Sequence, residues 1–285
     1  MTGILHVVAT PIGNPGDCSA RAREVLGGVG RIAAEDTRTT ALLLGELGLP
    51  AVPLTALHDH NEAERVPGLV QALLAGESVA LVSDAGTPLI SDPGYRLIAA
   101  AHEAGIRVSP VPGPCAALAA LSVAGLASDR FQFEGFLPAR QGPRQARLAD
   151  LADVPHTLIF HEAPHRILET LEDLCQIFGE TRLATLAREL TKTWETVRRD
   201  SLGGLRDWVA ADSNQQRGEI VLLVSGAPAR DVGDVRPLAA ADVLSLLVRE
   251  LPLKQAAAIT AELFGLRKNA LYDLAMQLRD GGDSA

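Results

Sequence analysis

The chain has 285 residues, 47% of them hydrophobic and 21% charged, which supplies a sizeable interior, excludes a largely disordered polymer and predicts about two domains. A formal net charge of −9 excludes a uniformly basic surface. The acidity is uneven, however: residues 1–129 hold 7 basic against 13 acidic side chains, whereas residues 130–199 hold 10 of each, so a polyanion would have to be met by the middle of the chain.

Apolar runs alternate with helical patterns from the start. "ILHVVAT", a helix over 19–28, "RIAAED", a helix over 38–47 and "AVPLTAL" are followed by a helix over 62–75, "SVALVSD", a helix over 94–104 and "IRVSPV". This alternation predicts a parallel α/β sheet. The style changes at "RFQFEGFLP", which carries half of the phenylalanines. After it come a polar helix over 140–152, "HTLIFHE", a helix from 165, "RLATLAREL", "TWETVRRDSL", a helix over 203–211 and "GEIVLLVSG". Fewer crossover helices per strand predict a mixed sheet. Domains are expected over 1–119 and 120–227. "APARDVGDVRP", residues 227–237, reads as a linker, and 238–285 as three short helices, the last two separated by Gly265, a spacing that suits a helix-turn-helix or simple packing.

Cys18, Cys115 and Cys175 show neither disulfide nor zinc spacing, and no metal is expected. "MTGILHVVAT" lacks a basic leader and a cleavable apolar stretch, and the uncharged run over 108–127 is broken by Pro110, Pro112 and Pro114. A cytoplasmic protein without membrane contact is expected.

In an open α/β sheet, ligands bind beyond the carboxyl ends of the strands. Three loops rich in proline and glycine fall there: "TPIGNP", "SDAGTPLISDPG" and "PVPGPCA". No phosphate-binding GxxxxGK[ST], dinucleotide GxGxxG, HExxH or GxSxG pattern accompanies them. A small organic cofactor held by backbone groups and apolar loops remains.

"VATPIGNPGDCSARA", "EDTRTTALLL", "SDAGTPLISDPG", "VPGPCAALAAL", "FEGFLP", "FHEAPHR" and "RELTKTWE" occur in this order. In this the chain resembles the bacterial ribosomal small subunit methyltransferase I family of the tetrapyrrole methylase superfamily. The resemblance covers about residues 4–225, and the helical tail fits the family's C-terminal extension. It implies two α/β domains of tetrapyrrole methylase type, the methyl donor S-adenosylmethionine in the cleft between them, and a homodimer. The implied activity is methylation of the ribose 2′-hydroxyl of a cytidine in the decoding region of 16S ribosomal RNA. By motif, the donor site comprises Pro11 and Ile12 of the first loop, Asp84, Gly86, Thr87, Pro88, Ile90 and Ser91 of the second, Pro114 and Cys115 of the third, and Phe160 and His161. The chain departs from the family at His161, where tyrosine is usual, at Cys115, where serine is usual, and at Pro15, where leucine is usual.

A ribose hydroxyl profits from a base, or from a cation that favours its alkoxide. Glu35, Asp36 and Arg38, Glu62, Glu162 and Arg166, and Arg188, Glu189 and Lys192 are candidates. Asp36, Arg38, Glu189 and Lys192 are singled out as the catalytic set, with an interdomain salt-bridge network as the alternative. Arg140, Arg144 and Arg147 lie one helical turn apart, which predicts a basic stripe for RNA that Arg198 and Arg199 extend; a solvated face is the alternative. Lys254, Arg267 and Lys268 are further candidate contacts in the tail. A methyltransferase acting on a tetrapyrrole, and an RNA-binding module without catalysis, are the competing functions.

Overall fold

The computed structural model describes residues 2–228, 240–266 and 268–280; most of the expected linker, and Arg267, lie outside them. The chain divides into two compact units, Met1–Ala227 and Pro228–Ala285.

The first unit holds two five-stranded sheets. Strands β1 (Ile4–Val8), β2 (Arg31–Ala34), β3 (Leu54–Ala56), β4 (Val79–Val82) and β5 (Arg107–Val111) form the first, in the order β3-β2-β4-β1-β5 and all parallel. The uninterrupted apolar run of β4 is the pattern of an interior parallel strand, and all four of its residues are buried. Helices α1 (Ala20–Gly28) and α2 (Thr37–Glu46) cover one face through Leu26 and Leu44, and α3 (Glu62–Leu74) and α4 (Tyr95–Glu103) the other through Leu69 and Leu97. Ser19 and Asp36 start α1 and α2 by accepting hydrogen bonds from the N–H groups of Ala22 and Arg38.

The second sheet is mixed, as its sparse crossovers predict. Its strands β6 (Phe131–Phe136), β7 (Thr157–Glu162), β8 (Leu183–Arg188), β9 (Thr196–Ser201) and β10 (Ile220–Val224) lie in the order β6-β7-β10-β8-β9. Only β6 and β7 are parallel; β10 runs against both of its neighbours. Helices α6 (Gln141–Leu151), α7 (Ile167–Phe178) and α8 (Leu202–Ala211) bury Leu148, Leu171 and Leu205 on one face, while α5 (Ala116–Val123) packs alone on the other against Ile159, Val221 and Leu223. The expected boundary at 119/120 falls inside α5, because Ala117, Ala120 and Leu121 already belong to the core of the second sheet.

The second unit consists of α9 (Ala240–Glu250), α10 (Leu253–Phe264) and α11 (Lys268–Asp280) around Leu244, Ala256, Ala257, Leu271 and Ala275. Gly265, at φ +63°, ends α10 in the left-handed conformation that glycine adopts without strain. Among the described residues no helix is long and apolar enough to cross a membrane.

Candidate active site

Three loops leave the carboxyl ends of β1, β4 and β5 and are tied to one another. Thr10 and Gly86 exchange backbone hydrogen bonds of 2.8 and 3.1 Å, which joins the first loop to the second. The Thr87 hydroxyl donates to the Pro114 carbonyl at 2.8 Å, which joins the second to the third. Gly86 sits at φ +84°, and a Cβ there would press on the Ile12 side chain at 3.3 Å. Leu89 and Ser91 also hold positive φ, at 77° and 70°, a backbone cost that clusters at binding sites.

Facing the loops is an edge of the second sheet formed by the carboxyl ends of β6 and β7 and, because β10 is antiparallel, by its amino end, with Ile220 registered on Glu162 and Arg188. Between them lies a cavity of about 420 Å³, within the size range of small-molecule sites. The loops contribute Ile12, Asp84, Gly86, Thr87, Ile90, Ser91 and Cys115, all expected donor residues. The second sheet contributes His161, Phe136, Ile220 and Val221. Pro11 and Pro88 are buried beside the lining, and Pro114 acts through its carbonyl on Thr87. Phe160 is a correction. It is fully buried among Leu148, Leu171 and Leu222 on the opposite face of β7, because neighbouring strand residues point to opposite sides.

The electrostatics of the cavity are acidic. Burial pushes the Glu35, Asp84 and Asp92 carboxyls up, and mutual repulsion adds to it: Asp92 and Asp84 act on Glu35, Asp36 on Asp84, and Asp84 on Asp92. Glu162 and Glu219 bring the carboxylates of the lining to five. Burial pushes the His161 imidazole down against the opposing pull of Glu219; its Nε2 has no hydrogen-bond partner among the described residues, and Phe133 and Phe136 pack edge-on at 5.0 and 5.5 Å. Glu162 is buried and saturated by the Ala163 N–H, the Arg166 guanidinium and the Thr170 hydroxyl, at 2.7, 2.7 and 2.6 Å. Among the described residues no group of three or more His, Cys, Asp or Glu side chains is arranged to hold a metal ion.

The four residues singled out for catalysis form two separate pairs. Arg38 donates to both oxygens of Asp36, at 3.1 and 2.6 Å, and these bonds hold the carboxyl at about 2; Asp36 also caps α2, and its N–H donates to Asp84. Neither side chain lines the cavity. Lys192 lies between Glu189 and Glu219, at 3.0 and 3.1 Å, and its alkyl chain runs over Gly13 of the first loop. Burial alone would lower the Lys192 pKa, but the hydrogen bonds to the two carboxylates raise it, so the ammonium stays charged. Glu189 moves the other way: burial is outweighed by the Glu219 N–H and by Lys192.

The basic stripe does not form. Arg144 is 1% exposed and donates to Asp173 at 2.6 Å, with Glu169 at 3.4 Å and the Ala139 carbonyl at 3.3 Å beside it. Its position shares a helical face with Leu148 and Leu151, and that face is turned onto α7. Arg147 is paired with Glu134 at 2.7 Å, and Arg140 is exposed at the start of α6. On β9, Arg198 pairs with Asp200 at 3.1 Å and lies over the Trp208 ring, while Arg199 is exposed. In the tail Lys254 and Lys268 are exposed.

Two contributors to the site carried little sequence signal. Phe136 stands among other phenylalanines, and Glu219 precedes a strand whose amino end faces the cavity only because of its direction.

Residues 4–206 match the tetrapyrrole (corrin/porphyrin) methylases, and residues 234–279 match a domain described as the RsmI C-terminal HTH domain. The chain is 56% identical over 275 residues to Ribosomal RNA small subunit methyltransferase I of Pseudomonas aeruginosa, covering 96% of this chain and 97% of that one. With the protein of the same name from Haemophilus influenzae the identity is 53% over 276 residues, covering 97% of each. Among solved structures it is similar to diphthine synthase, at TM-score 0.59 and 15% identity, over 78% of this chain and 90% of that one. It is also similar to uroporphyrin-III C-methyltransferase from Thermus thermophilus complexed with S-adenosyl homocysteine, at TM-score 0.55 and 18% identity, over 78% and 97%. At these identities the two structures establish the fold.

Proposed function

The chain belongs to the ribosomal RNA small subunit methyltransferase I family, of tetrapyrrole methylase fold, and on that premise we propose that it methylates the 2′-hydroxyl of a cytidine in the decoding region of 16S ribosomal RNA, with S-adenosylmethionine as donor. The observation that supports the donor is the cavity itself. Apolar side chains and loop backbone suit an uncharged ring system, and the carboxylates of Glu35, Asp84, Asp92 and Glu219 suit a ligand with a sulfonium and an ammonium. The residues of the three loops, with Cys115 and His161, would hold it; when bound, it supplies a methyl group on a positively charged sulfur.

The chain's own part is alignment, exclusion of water and charge. The tied loops fix one wall of the cleft before any ligand arrives, which reduces the ordering left for the reaction step. Lys192, protonated and fixed between two carboxylates, is the cation assigned to favour the alkoxide character of the attacking hydroxyl. Asp36 and Arg38 shape the entrance to α2 and hold Asp84 in place.

A homodimer is part of the reading. Helix α5 is apolar apart from Ser122, and Leu118 and Val123 are 51% and 52% exposed on it, a surface suited to a second copy. The RNA partner, alone or in the small subunit, implies a cytoplasmic location. The deciding experiment maps 2′-O-methyl nucleotides in 16S ribosomal RNA from a strain lacking the protein. Loss of one methylated cytidine, restored by the gene, is expected; an unchanged map overturns the reading.

A further inference from the structure

The turn between β8 and β9, residues 189–195, is built with unusual firmness around one side chain that it leaves in solvent. Trp194 is 73% exposed, yet its backbone is pinned. Its carbonyl accepts hydrogen bonds from the Arg188 guanidinium and the Thr196 hydroxyl, both at 3.2 Å, and Arg188 is itself buried and anchored on Gln215 at 3.1 Å. The Thr191 N–H donates to Glu195 at 2.7 Å, and the Glu195 N–H to the Lys192 carbonyl at 3.1 Å. Glu189 and Thr191 hold φ of 51° and 66°, so the turn is kept in a costly shape. Two residues before the indole, Lys192 reaches Glu219 in the cavity lining and covers Gly13 of the first loop. The exposed ring is therefore carried by a firmly held turn that reaches the cleft through the Lys192–Glu219 pair.

We propose that Trp194 is a stacking platform for a nucleobase adjoining the methylated nucleotide. The proposal rests on the RNA reading above and names how the substrate is held. An indole on a pinned backbone has only its two side-chain torsions left to fix on binding, and every base offers a π-face to it, so the contact suits an unpaired strand.

The test uses the full chain and small ribosomal subunits from a strain lacking it, with binding read by co-sedimentation and methyl transfer by incorporation. Trp194→Ala should weaken subunit binding about five- to 150-fold, the range for losing one stacked base. Trp194→Phe should restore most of the affinity and Trp194→Leu should not, because the face and not the apolar area is required. Affinity for S-adenosylmethionine and the circular dichroism spectrum should stay as in the wild type. Equal subunit affinity in Trp194→Ala, or rescue by leucine, overturns the stacking role. So does a shift to monomer in Trp194→Ala by light scattering, which would assign the ring to a second copy of the chain. If the wild type itself neither binds subunits nor methylates them, the function proposed above fails first.

Discussion

Lys192 keeps its proton because two carboxylates hold it against the effect of burial, so the part proposed for it is that of a fixed cation and not of a base. Replacing it by methionine keeps the alkyl packing over Gly13 and removes the charge. Single-turnover methyl transfer should then fall about 10²- to 10³-fold, the usual loss for one charge-stabilising donor, with donor affinity by calorimetry unchanged. Arg144 has the opposite character, since its charge is spent inside the protein. Arg144→Ala leaves Asp173 buried with only glutamine donors and should cost about 3 kcal/mol of stability in urea unfolding, with no change in the salt dependence of subunit binding. Burial would raise the Asp173 pKa, but Arg144, Gln145 and Gln141 together lower it. Its folded pKa lies below the unfolded value of about 3.9, so the pair's stabilisation is complete above that value and is lost as pH falls through the folded one.

At the scale of elements, the loop after β4 concentrates the chemistry, because it carries Asp84, Gly86, Thr87 and Asp92 and is fastened to both neighbouring loops. Its acids behave in the reverse sense to Asp173. Folded pKa values raised by burial mean that the folded protein takes up protons more readily than the unfolded chain, so Asp84 and Asp92, with Glu35 from the turn after β2 beside them, favour the fold as pH falls through their folded pKa. The same protonation removes the negative charge that suits a cationic donor. Calorimetry across a falling pH series should show donor affinity declining before carboxylates of ordinary pKa titrate, and Glu35→Gln should flatten that decline. A pH-independent affinity would separate these acids from the donor. Much of this element was legible in "SDAGTPLISDPG", since glycine and proline after a buried strand mark a ligand loop; the tie from Thr87 to Pro114 was not, because it joins residues 27 apart.

For the whole molecule, the division at Ala227 sets what can be separated. A chain of residues 1–227 keeps both sheets and every residue of the cavity lining, so it should fold and bind the donor with unchanged affinity. Methylation of small subunits should fall if the helical unit contributes RNA contacts, which an incorporation assay reads directly. The sequence by itself determined the α/β alternation, the three loops and the three-helix tail, because periodicity and turn chemistry are local. It also holds two signs of what the site leaves out: Phe160 and His161 are adjacent in a strand and face opposite ways, and Leu148 and Leu151 mark the face of Arg144 as inward. Only the tertiary structure decided that β10 runs antiparallel, bringing Glu219 to the cleft, and that Lys192 crosses to Gly13. Strand direction and cross-lobe contact depend on pairing between distant segments, and no local pattern of residues encodes them.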